Sequence, residues 1–434
     1  MKNRKYPANA ARTRLARTSP GALPALALLA LAGGSATAQE ALRTAVQADR
    51  AGEARTQNAL LPPPATHWGP VHLDLGASVA LKWTDNVRIS QGSQEADFSV
   101  RPQVNLGAML PISRTSRISA GVGIGYEKYF ELSQYDYFVI TPDSAVALDI
   151  PVKDFVFTIY DSVSYSQDVV SEPDLSNRAQ YPRLENTAGL RVNWRPADWL
   201  WQVGYSHVNF IPFADESGVN SYSRLERASE QFYGRGAYFL AEATQVGVEA
   251  SGSLTSYASG ERSDYQTVSL GPFVDWTLTE YLRITARGGY TMQFFEENGL
   301  FPAPDDTDSY YLGLSVAHQL TQAISHDLSG QHGLDTGIDA QTVQRTSLDY
   351  GIRWRFMDPL TASFNTSVQI ASETKTAFGA GEDYTRLGFG CGLAYAMTAH
   401  LSSSIGYQYY QRDSDLDRGD YDQNLVTLMI GYRF

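Results

Sequence analysis

A chain of 434 residues with 47 acids against 34 bases carries a formal net charge of −13, which speaks against a nucleic-acid partner. Its single cysteine, Cys391, excludes an intramolecular disulfide and any cysteine metal cluster. The 26 tyrosines, 18 phenylalanines, seven tryptophans and 36 glycines show no break in composition after residue 70, so the length implies one large β-structure rather than two or three domains.

The chain begins with Lys2, Arg4, Lys5, Arg12, Arg14 and Arg17 ahead of an apolar run from Ala22 to Ala32, and Ala36-Thr37-Ala38 precedes Gln39. This is the layout of a secretory signal peptide over residues 1–38, cleaved after Ala38. The apolar run is too short for a membrane anchor, and the absence of twin arginines points to the general secretory route. Cleavage removes six bases and no acid, leaving 28 bases, 47 acids and a net charge of −19. Residues 39–70 are polar and alanine-rich, with Pro62-Pro63-Pro64 near the end, and read as a flexible periplasmic lead-in.

Nothing after the leader approaches the ~20 apolar residues of a spanning helix. From Val71 the pattern changes to period two. Leu73, Leu75, Ala77, Val79, Leu81 and Trp83 occupy one face, and Asp74, Gly76, Ser78 and Lys82 the other. Further alternating segments fall near 98–110, 116–130, 138–151, 155–168, 184–195, 199–212, 226–241 and 245–258. They continue near 265–279, 282–296, 309–321, 325–335, 342–356, 360–373, 384–397, 401–412 and 422–434, making 18 in all. The weakest is 325–335, whose only large apolar residues are Leu328 and Leu334, and losing a hairpin would leave 16 strands.

Short links such as Val152-Lys153-Asp154 and Met357-Asp358-Pro359 alternate with longer ones such as 85–96, 169–183 and 213–225. Tight periplasmic turns and longer outer loops are the asymmetry of outer-membrane barrels, where only closure removes the sheet edges. The expected fold is therefore an all-β, transmembrane, antiparallel up-and-down barrel over residues 71–434. It belongs in the outer membrane of a Gram-negative cell, and the even strand count puts both termini in the periplasm. The expected partners are outer-membrane lipid and lipopolysaccharide. The longest loops, about a dozen residues, are too short to fold deep into the lumen as a single plug.

The last strand keeps Val426, Leu428, Ile430, Tyr432 and Phe434 on one parity and ends on an aromatic. Tyr432 and Phe434 resemble the carboxyl-terminal signal that such barrels present to their insertion machinery, although Met429 stands where glycine is usual.

Little suggests catalysis. The seven histidines show no metal-ligand spacing, and no Gly-x-Ser-x-Gly nucleophile motif is present. The expectation is a protein that is not an enzyme, with no catalytic residue, metal or cofactor. Arginine is the sharper feature. With the apolar parity facing lipid, as for Leu282, Ile284 and Ala286 against Thr285 and Arg287, the lumen parity carries Arg191, Arg195, Arg235, Arg283, Arg287, Arg353, Arg355 and Arg386. Arg101, Arg117 and Arg433 share it. Guanidinium groups in a narrow pore attract anions, because low-dielectric walls focus the field. Alternatively they pair with interior acids, for which Asp74, Asp149, Asp161, Asp275 and Asp349 are candidates, and fill the lumen.

Trp83-Thr84-Asp85-Asn86-Val87, then Asp97-Phe98, Pro102 and Gly107, resembles the first hairpin of the family named β-barrel porin 2, which includes barrels linked to exopolysaccharide export. The resemblance implies an outer-membrane barrel that conducts polysaccharide, with polysaccharide synthesis and export proteins as partners, and brings no catalytic residue. The leading expectation is passage of an anionic polysaccharide or another anionic solute. A general diffusion porin for small solutes and a non-conducting surface or assembly barrel remain as alternatives.

Overall fold

The computed structural model describes residues 66–92, 94–167, 182–213, 222–297, 300–337, 342–374, 381–416 and 419–434. The expected signal peptide and nearly all of the expected lead-in lie outside these residues. Residues 66–70 form a short strand, Thr66–Trp68, and a turn that lays it against Val71–Leu73.

Eighteen antiparallel strands close into one barrel. They are β1 Val71–Thr84, β2 Asp97–Pro111, β3 Arg117–Tyr129, β4 in two pieces Tyr137–Ile140 and Ala145–Val152, β5 Phe155–Ser166 and β6 Arg183–Trp194. Next come β7 Trp199–Pro212, β8 Arg227–Ala241, β9 Thr244–Tyr257, β10 Tyr265–Thr279, β11 Leu282–Phe295 and β12 Thr307–Gln319. The circuit ends with β13 Ile324–Asp335, β14 Val343–Met357, β15 Leu360–Glu373, β16 Asp383–Ala396, β17 Leu401–Ser414 and β18 Tyr421–Arg433. Each strand pairs with its sequence neighbour, and β1 closes on β18 from Gly76↔Arg433 to Thr84↔Leu425. The weakest expected strand, β13, pairs over its length with β14, from Ile324↔Trp354 to Asp335↔Val343. The break in β4 falls at 141–144, where Pro142 has no backbone donor to give.

The two faces separate as the alternation requires. On β11, Tyr290, Met292 and Phe294 are exposed in the row of Ile284, while Thr291 and Gln293 are buried in the row of Arg287. The outer face is apolar on most strands, which suits lipid, and aromatic rings mark its margins. Trp194 stacks on Phe155 at 5.4 Å, Trp199 on Trp201 at 5.8 Å, and Tyr432 meets Phe434 edge-on at 4.8 Å near the short-turn end. Phe98 with Phe130 and Tyr205 with Phe232 lie nearer the long loops. The final residue is tied in by its amide, which donates to Leu75 O at 2.9 Å.

Asp161 departs from the expectation of an interior acid. It shares the outward row of Phe155 and Ile159, and it accepts a hydrogen bond from Asn186 Nδ2 at 2.9 Å. His207, Asn209, Tyr205 and Glu230 continue this polar network on the outer face: His207 lies 2.8 Å from Glu230 and 3.1 Å from Asn209. His326 and His332 also point outward. His326 contacts His318 at 3.0 Å, and His332 contacts Thr346 at 2.7 Å, so neither is a lumen group.

Candidate functional site: the arginine-bearing lumen

Eighteen strands about 4.8 Å apart and tilted about 40° enclose a backbone cylinder about 36 Å across. What occupies that space depends on how the inward side chains lie. Where glycine stands inside, rings fold flat along the wall. Tyr311 covers Gly271 and Gly289, and a Cβ at either would sit 2.5–2.6 Å from its ring or hydroxyl and nearer still to backbone oxygen. Phe273 lies over Gly247 in the same way.

All eight predicted arginines stand on the inward parity, and the structure divides them. Arg235 and Arg283 share Asp275, at 3.0 and 3.4 Å, with Thr285 and Gln245 also donating to that carboxylate. Arg287 lies 3.8 Å from Glu249, which also accepts from Tyr311. These three match the pairing alternative. Four others have no carboxylate within salt-bridge distance among the described residues. Arg195 lies over the Phe239 ring at 4.5 Å, and Arg386 over Tyr410 at 4.5 Å. Arg355 donates to Gln322 O at 3.1 Å, and Arg353 is exposed. Arg191 lines a cavity at the short-turn end.

The other three arginines that the sequence puts on this parity are paired. Arg433 holds Asp74, Arg101 and Lys82 hold Glu127, and Arg117 lies 3.6 Å from Asp149. Towards the long loops Arg345 meets Asp335 and Arg412 meets Glu382 at 3.0 Å. Arg345 and Arg412 are 3% and 2% exposed, whereas the side chains of Arg117 and Arg283, near the short turns, are 44% and 62% exposed. The lumen is thus packed at its long-loop end and open and basic at the other. Sequence reading missed Glu127 and Glu249 as partners, although both stand on the lumen parity of their strands.

The long-loop mouth is also bridged. Ile89, in loop 85–96, and Leu225, in loop 213–226, are 3% and 2% exposed and form one apolar cluster with Tyr421. Phe210, Tyr222 and Tyr410 pack against it. Phe210 belongs to β7, and Tyr410 and Tyr421 belong to β17 and β18. By the shorter way around the ring, β7 and β18 are seven strands apart where nine is diametrical. The two loops therefore meet over the opening. A twelve-residue loop that must go out and return reaches only about 20 Å. That is too short to cross alone, as expected, but two loops a third of the circumference apart can each reach partway and meet.

Loop 85–96 holds this pose under strain. Ile89 has φ +51°, a left-handed conformation that a β-branched residue rarely adopts. Asn86, fully buried, braces it. Its side chain accepts from Ser90 N and donates to Ser90 O and Asp422 O, and its carbonyl accepts from Gln423 Nε2 at 2.9 Å. Asp85 accepts from both nitrogens of Asn424, tying the loop to β18.

Residues 228–434, spanning essentially β8 to β18, match the family described as Outer membrane protein beta-barrel domain. The fold is that of an outer-membrane β-barrel. This agrees with an outer-membrane location in a Gram-negative bacterium. No curated protein matches the sequence. Among solved structures, OccK2 (OpdF) of Pseudomonas aeruginosa is 13% identical with a TM-score of 0.48, over 84% of this chain and 97% of that one. The BenF-like porin from Pseudomonas fluorescens Pf-5 is 11% identical with a TM-score of 0.49, over 83% and 99%. OccAB4 of Acinetobacter baumannii is 12% identical with a TM-score of 0.45, over 83% and 98%. At these identities the likeness concerns the fold alone, and no substrate follows from it.

Proposed function

We propose that this barrel is an outer-membrane channel for small organic anions, with its short turns and both termini in the periplasm. The observation that carries the reading is the set Arg195, Arg353 and Arg355 at the short-turn mouth, which no described carboxylate neutralises. A guanidinium reaching inward from an ~18 Å wall stands about 10 Å from the axis, where an anion gains about 0.4 kcal/mol in water. Screening at 0.1 M salt cuts this to about 0.15 kcal/mol. Three such groups, favouring anions and opposing cations, separate the two by about 0.9 kcal/mol, or about fivefold. At 1 M the Debye length falls to about 3 Å and the preference vanishes.

The bridge of Ile89 and Leu225 divides the long-loop mouth, which favours small solutes over a polysaccharide chain. The channel therefore serves small solutes with an anionic preference rather than a polymer. In planar bilayers, changing Arg195, Arg353 and Arg355 together to Gln is expected to remove most of the anion preference at low salt. Unchanged selectivity would refute the assignment.

A further inference from the structure

The short-turn end contains a cavity of about 570 Å³ against the inner wall of β1–β6, within the range that holds a small ligand. Its charge is one-sided. Arg114, Arg117 and Arg191 border it, and Asp149 is the one carboxylate among its lining residues, a formal charge of +2. Asp149 is already engaged, accepting from Thr158 Oγ1 at 2.8 Å and lying 3.6 Å from Arg117. Arg114 has no carboxylate partner among the described residues. It sits on the link 112–116, whose shape is set by Ser113 Oγ accepting from the amides of Thr115 and Ser116 at 3.2 and 2.9 Å.

Met109, Pro111, Pro151 and Val156 add apolar surface to the same wall, interleaved with the charged groups, Pro111 being paired with Arg117. His72 closes the ring of contacts. Its ring packs edge-on against His67, with the centroids 4.7 Å apart. A planar guanidinium fork matches a carboxylate, whereas an inorganic anion would leave the apolar part of the lining unused.

We infer that this cavity is a docking site for a small organic carboxylate with an apolar body, held at its charged end by Arg114, Arg117 and Arg191 and at its body by Met109 and Val156. The inference deepens the anion-channel reading by giving the permeant solute a resting place at the periplasmic exit. Binding itself is measurable apart from conduction. Folded barrel in detergent, verified by heat-modifiable migration, is titrated calorimetrically at low salt with benzoate, with its neutral methyl ester and with inorganic phosphate. Saturable binding of benzoate, at least about tenfold weaker binding of phosphate and none of the ester are expected.

Arg114→Gln with Arg191→Gln is expected to weaken benzoate at least about tenfold. Met109→Trp with Val156→Trp, which crowds the apolar part of the lining and leaves every charge in place, is expected to weaken benzoate at least about tenfold. No saturable benzoate binding, equal affinity for phosphate, or affinity indifferent to both variants would overturn the site. If benzoate binds in this arginine-dependent way while the pore proves cation-selective, the site stands and the channel reading falls. An anion-selective pore with no benzoate binding leaves the channel reading and removes the site.

Discussion

The bridge over the long-loop mouth makes a demanding prediction. Ile89 and Leu225 are almost wholly buried, in a cluster that holds together two loops a third of the circumference apart. Burying a leucine side chain is worth about 2–3 kcal/mol. Leu225→Ser therefore shifts the balance between bridged and parted loops by about 30- to 150-fold towards parted. Ile89→Gly removes the other side of the contact and keeps the backbone, since glycine takes a φ of +51° without strain. Neither residue belongs to a barrel strand, so the barrel should fold as before. Single-channel recording is expected to show the wild type mostly in a low-conductance state, and the double variant in a larger one occupied most of the time. Identical conductance and occupancy in the two proteins would mean that the cluster does not restrict passage.

Two further outcomes follow from the faces and the ion pairs. Leu312, outward on β12 and 55% exposed, is expected to cost about 2–4 kcal/mol when changed to Arg, and Ser315→Arg, on the lumen row, much less; denaturant unfolding in lipid vesicles measures both, and equal costs would contradict the register. Replacing Arg287 and Glu249 together by Gln removes a pair with no net charge, so anion selectivity in bilayers is expected to stay within twofold of wild type; a large fall would show that paired arginines also set the field.

The strand positions were legible because a lipid face on one side and a wet lumen on the other impose a period of two that few other folds sustain so long. Even β13, nearly without large side chains, falls where the weak alternation put it and pairs with β14 over its length. Asp161 shows the limit. The row Phe155, Phe157, Ile159 and Val163 already contains it, yet its charge suggested an interior place, and in the structure register prevails, with Asn186 sharing the load. Parity also says which arginines face inward but not which are neutralised. Arg235 meets Asp275 from two strands away, a relation set by inter-strand register that no local pattern encodes. The bridge was hidden for the same reason. Ile89 and Leu225 are conspicuous as large apolar residues in polar loops, but that they meet depends on where β1 and β8 stand around a closed ring.

The most direct test of the account is the zero-current potential of the wild-type protein in a planar bilayer across a potassium chloride gradient, with the dilute side near 0.1 M. An open basic vestibule predicts the sign of an anion-selective pore, with a chloride preference of a few fold that fades as both sides approach 1 M. A potential of the opposite sign, or one that does not change with ionic strength, would contradict it.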